Sequence, residues 1–238
     1  MTPGILAFDI GGSGLKAAVI DDDGQLLGEH LRLPTPHPCP PGLLVDTLVG
    51  MAASLPAFDR IAIGFPGMIR HGRVLTAVNL SKDDEWRGLE LGRVLSDRLG
   101  GRPARLVNDA DMQGMALVTG EGLEFVFTFG TGVGTSLFRD GELMPHMELG
   151  HHPLHKDATY EECLGEAARV AAGNHHWNRH LRRALAMVEV LLRPDRIHIG
   201  GGNARHVEGE LPPGVVIGSN EAGLLGGAVL WRGAPPKG

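Results

Sequence analysis

Asp9-Ile10-Gly11-Gly12-Ser13-Gly14-Leu15-Lys16 joins two short apolar, β-branched runs, residues 4–10 and 15–21. Alternating runs of this kind read as strands, and the glycines between them as a tight turn. Glycine lets backbone turn sharply and turns successive N–H groups toward an anion. The Ser13 hydroxyl adds a donor, and Asp9 at the strand end can hold a divalent cation or its water. The stretch therefore reads as a phosphate cradle, although its spacing is not that of a P-loop and a plain hairpin turn is the alternative. Phe129-Gly130-Thr131-Gly132-Val133-Gly134-Thr135, preceded by Thr128, repeats the chemistry between predicted strands 125–129 and 135–138. Two such turns, each leading into a strand, predict a repeated unit rather than coincidence.

Working outward, Asp22-Asp23-Gly24 is a turn into a third strand over 25–32, and five prolines within 34–41 favour an extended connection to a helix at 43–54. A strand at 60–65 closes on Pro66-Gly67. A helix at 90–99, a strand at 104–107, Asn108-Asp109 and a helix at 110–118 give the strand-then-helix alternation of an α/β sheet. Trp177, Leu181, Leu185, Val188 and Leu192 recur at spacings of 3 and 4, which predicts one long amphipathic helix stopped by Pro194. A strand at 196–199 then runs into Gly200-Gly201-Gly202, and a last helix is expected over 223–231.

The composition is that of an ordinary globular chain: 238 residues, 42% apolar and 21% charged, with 36 glycines and 16 prolines. Twenty-eight acidic against 22 basic residues leave a net charge of −6, the wrong sign for a general nucleic-acid or anionic-membrane binder. Two cysteines, Cys39 and Cys163, allow at most one disulfide, and no basic leader or apolar run of about 20 residues is present. A cytoplasmic location is the expectation.

Asn108-Asp109 stands where a strand hands over to a helix, at the carboxyl edge of a sheet where ligands of α/β folds collect. Asp109 is open to two readings, a general base or an ordinary helix N-cap. Glu148-Leu149-Gly150-His151 places a carboxylate and an imidazole beside a glycine, a combination suited to several sugar hydroxyls.

In order along nearly the whole chain, these pieces resemble the ROK sugar kinases (repressor, open reading frame, kinase), whose fold is the two-lobe, actin-like, ribonuclease H-like α/β fold. Asp9 to Lys16 resembles their first phosphate motif, Gly64-Phe65-Pro66-Gly67 the following sugar-domain turn and Asn108-Asp109-Ala110 the catalytic motif. Thr128 to Thr135 resembles the second phosphate motif, Glu148 to His151 the sugar motif and Gly200 to Gly202 the nucleotide end. Ser13-Gly14 ahead of Lys16, where nucleotide-preferring members carry Thr-Lys, is similar to the polyphosphate glucokinases of the family. So is Thr76-Ala77-Val78-Asn79-Leu80 with Trp86 and Gly88.

The resemblance implies a Mg²⁺-dependent glucokinase with inorganic polyphosphate, or ATP, as donor. It makes Asp109 the base that takes the proton of the glucose 6-hydroxyl, and Asp9 the residue that organises Mg²⁺. Gly67, Asn79, Asn108, Asp109, Glu148 and His151 would line the glucose site. Gly11, Gly12, Ser13, Gly14, Lys16, Thr128, Gly130, Thr131, Gly132, Gly134, Gly201 and Gly202 would hold the donor. It also implies a small lobe of 1–107 with 221–238, a larger lobe of 108–220, and a homodimer.

Most family members bind zinc through the Gly-His histidine and a run of three cysteines. Only Cys163 follows here, so no structural zinc is expected, and His151, His152, His155, His175, His176 and His180 read as solvated. No DNA-binding segment is expected before the first strand. Lys16, Arg70, Arg73, Lys82, Arg87, Arg93 and Arg139 are candidates for a basic donor track, or for a solvated surface with counter-charges. An ATP-dependent hexokinase for glucose, mannose or an amino sugar, and a sugar-binding protein without turnover, are the alternatives.

Overall fold

A computed structural model describes residues 4–77, 79–218 and 222–232. The chain forms two compact units, Met1–Ala116 with Gly223–Gly238, and Leu117–Ala222.

The first unit starts with β1 (Ile5–Ile10), β2 (Gly14–Ile20) and β3 (Leu31–Pro34), then α1 (Pro41–Ala52) and β4 (Arg60–Phe65). A small hairpin, β5 (Ile69–Arg70) and β6 (Arg73–Val74), and the one-turn α2 (Asp83–Trp86) precede α3 (Leu91–Arg98), β7 (Ala104–Asn108) and α4 (Asp109–Met115). The third strand is shorter than the expected 25–32. Leu26 meets Ile20 in an isolated bridge and the Leu27 N–H reaches Val19 C=O at 2.8 Å, so the ladder restarts only at Leu31. Helix α1 starts two residues before the expected 43 because Pro41 sits in its first turn, where a missing N–H costs nothing.

The sheet order is β3-β2-β1-β4-β7, with β1–β2 and β2–β3 antiparallel and β1–β4 and β4–β7 parallel. One face, with Leu6, Phe8, Ile61, Ile63 and Phe65, packs on Leu44 and Leu48 of α1, Leu91 and Leu95 of α3, and Trp86. Each such large side chain contributes roughly 1.5–3 kcal/mol by leaving water.

The second unit repeats the plan. It holds β8 (Leu123–Phe129), β9 (Val133–Arg139), β10 (Glu142–Leu143), β11 (Pro153–His155), β12 (Ala158–Thr159), α5 (Tyr160–Leu164), α6 (Glu166–Leu192), β13 (Arg196–Gly200) and β14 (Val215–Ile217). Its main sheet runs β10-β9-β8-β13-β14, antiparallel for the first two pairings and parallel for the last two, the same order and sense as the first. Phe125, Phe127 and Phe129 alternate onto one face and pack on Tyr160, Trp177, Leu181, Leu185 and Val188. Phe129 meets Trp177 edge-on at 5.4 Å. Helix α6 is longer than the periodic stretch at 177–192 and is kinked at Gly173, whose φ of 78° is open to glycine.

The chain then returns as α7 (Ala222–Arg232), and Ala228 and Leu230 join Ile5, Ala7, Ile20, Ala62, Val107 and Met112 on the other face of the first sheet. A Cβ on Gly226 would stand 1.7 Å from Met112 C=O, and one on Gly227 3.1 Å from the methyls of Ala7 and Ala62. Only glycine lets α7 lie this close to α4 and the sheet. Helix α4 packs with the first unit through Met112, so the division falls after Ala116 and not at residue 108. Among the described residues no helix is long and apolar enough to cross a membrane.

Candidate functional site

In each unit the glycine turn is the three-residue loop between the first two strands, Gly11–Ser13 in one and Gly130–Gly132 in the other. The Gly11 N–H donates to Gly14 C=O at 2.9 Å, and the Gly130 N–H to Gly132 C=O at 3.1 Å. None of the glycines at 11, 12, 14, 130, 132 and 134 has a positive φ. They are there for close approach or open space: a Cβ on Gly12 would lie 3.0 Å from the Asn79 side chain, one on Gly132 2.6 Å from Glu161 Oε2, and one on Gly130 would meet nothing within 4 Å.

The first unit collects Asp9, the Gly11–Ser13 loop, Asn79, Gly67, Asn108 and Asp109. Register places Lys16 opposite Asp9, and its ammonium lies 2.8 Å from Asp9 Oδ2. The same carboxylate borders the start of α7, since a Cβ on Gly223 would stand 2.5 Å from Oδ2. Thr35, which no motif singles out, buttresses the loop by donating from its hydroxyl to Gly11 C=O at 2.7 Å.

Asn79 has a φ of 62°, a left-handed conformation that Asn tolerates better than most residues. Its loop is pinned on both sides. Asp83 accepts from the Ala77 N–H at 2.9 Å, and the buried Trp86 indole donates to Ser81 at 2.9 Å while its ring lies 5.0 Å from that of Phe65. Val78 lies outside the described residues. Gly67 is required by backbone crowding, a Cβ there falling 2.1 Å from Thr76 C=O.

The N-cap position of α4 falls to the residue before Asp109. Asn108 is the N-cap of α4: Oδ1 accepts from the N–H groups of Ala110 at 2.8 Å and Asp111 at 3.4 Å, and Nδ2 donates to Gly67 C=O at 3.1 Å. Asp109 is the first residue of the helix, partly exposed, with Oδ1 accepting from Ala110 N–H at 2.9 Å. Most of the Asn108 amide is thus spent on holding Gly67 and α4.

The second unit collects the Gly130–Gly132 loop, Glu148 to His151 and Gly201. Thr128 and Gly134 pair across the hairpin beyond the loop. A Cβ on Gly150 would lie 2.5 Å from Val133 C=O, and Thr135 donates to Met147 C=O at 2.8 Å, which seats the Glu148–His151 turn against the loop's end. Glu148 Oε1 lies 3.2 Å from His146 Nε2, and His151 is exposed. Gly201, φ 81°, would place a Cβ 2.3 Å from Phe129 C=O, and Gly202 has open space.

Sequence reading missed Asn203, Glu161 and Glu166. Asn203 Nδ2 donates to Gly130 C=O at 3.2 Å, as does the Glu166 N–H at 2.9 Å. Hydrogen bonding from Arg169 holds the Glu166 carboxyl below the usual carboxylate range. The Glu161 carboxylate therefore borders the second loop, and Glu166 meets it through its backbone N–H.

Three of the seven residues of the candidate basic track are counter-charged. Lys16 is paired with Asp9, and Arg73 and Arg93 share Glu90 at 2.7 and 2.8 Å. Among the described residues no group of three or more His, Cys, Asp or Glu side chains is placed to hold a metal ion. Asp9, one carboxylate at the mouth of a backbone-lined loop, still suits Mg²⁺, which keeps most of its waters and takes other oxygens from substrate phosphates.

Two sheets of one order and sense, each with a glycine loop between its first two strands, make this an actin-like ATPase fold. The chain belongs to the ROK family, whose model matches residues 5–169. Polyphosphate glucokinase of Mycobacterium tuberculosis is 30% identical over 237 residues, covering 93% of this chain and 89% of its own. The inorganic polyphosphate/ATP-glucomannokinase of Arthrobacter sp. strain KM superposes with a TM-score of 0.86 at 31% identity, over 97% of this chain and 100% of that one. A ROK family glucokinase from Streptomyces griseus, at 20% identity, shares the fold with a TM-score of 0.80, over 97% and 100% of the two chains.

Proposed function

We propose that this chain is a sugar kinase that transfers a phosphoryl group from inorganic polyphosphate, or from ATP, to the 6-hydroxyl of glucose. The observation that carries the reading is the placement of residues 108 and 109: Asn108 caps α4, and the partly exposed Asp109 stands on the first helical residue at the carboxyl edge of a parallel strand, where ligands of α/β folds collect. The names of the polyphosphate relatives support the donor, and the open space at Gly130 and Gly202 supports its approach.

In this reading Asn79, Gly67, Glu148 and His151 bind the sugar hydroxyls. Asp109 accepts the 6-hydroxyl proton as O6 forms its bond to the terminal phosphorus. The bridging P–O bond breaks, and its electron pair leaves with the shortened polyphosphate or ADP. Asp9 would hold Mg²⁺ through water, and the ion would neutralise phosphate charge. The rest of the acceleration is positioning and preorganised charge, which is most of what phosphoryl transfer needs. The enzyme is read as a cytoplasmic homodimer on its family resemblance.

The test is glucose 6-phosphate formation with Mg²⁺, comparing nucleotide-free polyphosphate with ATP, in wild type and Asp109→Asn. Asparagine keeps an oxygen for the Ala110 N–H but accepts no proton, so the rate should fall roughly 10²–10⁴-fold with glucose affinity retained. A wild type that phosphorylates no sugar would leave a binding protein instead.

A further inference from the structure

Between Glu166 and Glu189, α6 carries four arginines, three histidines and no acidic residue, in a chain whose net charge is −6. His176, Arg179, His180 and Arg183 fall at i, i+3, i+4 and i+7, one stripe of the helix beyond the Gly173 kink. The β11–β12 hairpin adds to it. Arg183 Nη1 hydrogen-bonds His155 Nδ1, the rings of His155 and His180 lie 5.6 Å apart, and Lys156 follows at the hairpin turn. The cations act on the imidazoles beside them: burial, and then Arg183, Lys156 and Arg179, push His155 below the ordinary imidazole range. Burial, and then His155, Arg179, Arg183 and His176, do the same to His180.

Seven cations elsewhere in the chain are neutralised. Lys16, Arg60, Arg73, Arg93, Arg98, Arg169 and Arg232 each have a carboxylate partner. Among the described residues Lys156, Arg179 and Arg183 have no such ion pair, and neither Asp157 on the hairpin nor Glu189 further along α6 is bonded to them. An unneutralised cluster is stabilised by an external anion. The stripe also belongs to the helix that starts at the second glycine loop, since Gly165 caps α6 and the Glu166 N–H bonds Gly130 C=O.

We propose that Lys156, Arg179 and Arg183, with His155, His176 and His180, form a binding tract for the distal phosphates of a long inorganic polyphosphate chain. This rests on the polyphosphate reading of the donor. The tract is outside the reacting centre and acts on affinity for chain length.

The test is binding of fluorescently end-labelled long-chain polyphosphate to the full chain, without sugar or Mg²⁺, in wild type and Lys156→Ala/Arg179→Ala/Arg183→Ala. Three lost cations should weaken binding at least about tenfold and make the log-affinity against log-salt slope shallower by about 2 to 3, by the counterion release that governs other polyanions. The charge-conserving Lys156→Arg/Arg179→Lys/Arg183→Lys should restore most of it, separating charge from folding. In turnover, the ratio of KM for long-chain polyphosphate to that for tripolyphosphate should rise in the alanine variant.

Equal binding by wild type and the alanine variant overturns the tract. So does single-stranded RNA of matched charge displacing polyphosphate at the same concentration. If wild type uses ATP alone yet binds polyphosphate through these residues, the donor reading falls and the tract stands. If polyphosphate turns over with an unchanged KM ratio, the reverse holds.

Discussion

Gly130→Ala separates what the second glycine loop does for the fold from what it does for a ligand. Gly130 donates to Gly132 C=O and accepts from Glu166 N–H and Asn203 Nδ2, all through backbone atoms that alanine keeps. Its φ is not positive, and an added Cβ meets nothing within 4 Å. The variant should therefore be stabilised by about 0.4–1 kcal/mol through a less flexible unfolded chain, a rise in Tm of roughly 1–4 °C for a protein of this size. The same methyl occupies the space by which donor phosphate would reach the loop. Displacement by about 1 Å costs up to about 10²-fold, so kcat/KM for the donor should fall about 10- to 100-fold, equal to about 1.4–2.7 kcal/mol of transition-state binding. Calorimetry and a coupled glucose 6-phosphate assay read the two effects on one protein, with glucose affinity from titration as the internal reference. A variant that melts higher and keeps donor kcat/KM would refute the loop as the donor's seat. Gly132→Ala cannot serve, because its Cβ would lie 2.6 Å from Glu161 Oε2.

Asn108→Ala removes both the α4 cap and the tether to Gly67, and should cost about 0.5–2 kcal/mol in urea unfolding while raising the KM for glucose. Glu124, fully buried, is pushed up by desolvation, but the N–H groups of Thr119 and Gly120, the Thr119 hydroxyl and His198 at 2.7 Å outweigh this and hold its carboxyl below its ordinary 4.5. A depressed folded value means its contribution is complete above pH 4.5 and fades as pH falls toward the folded value. Glu124→Gln should cost about 1–3 kcal/mol at pH 7, and the gap to wild type should narrow below pH 4.5; a gap independent of pH would refute the ionised state.

How far the sequence could be read depended on the range of the interactions. The loops at Gly11–Ser13 and Gly130–Gly132, the strands around them and the strand-to-helix step at Asn108 rest on neighbours a few residues apart, so local pattern reveals them. The reason for the glycines is not local. Their φ values are ordinary, and it is Asn79 and Glu161, 67 and 29 residues away, that leave no room at Gly12 and Gly132. Asn203, Thr35 and Glu166 stabilise the loops by contacts of the same long range and carry no pattern of their own. The pair Asn108-Asp109 offered two oxygens for one cap, and only helix geometry assigns the cap to the first. The third strand is shorter than expected because 25–30, Gln-Leu-Leu-Gly-Glu-His, pairs through one bridge, and the Gly173 kink lies ahead of the periodic stretch at 177–192 that announced the helix.

The return of α7 to the first sheet sets an order of events on the ribosome. Leu117–Ala222 is one continuous stretch and can close its core as it emerges, but the face formed by Ile5, Ala7, Ile20 and Ala62 waits for Ala228 and Leu230. At synthesis rates of about 5–20 residues per second, that face waits roughly 8–33 s after its strands are made. The first unit to be translated is thus the last to be finished, and Gly226 and Gly227 let the final helix seat flat to finish it.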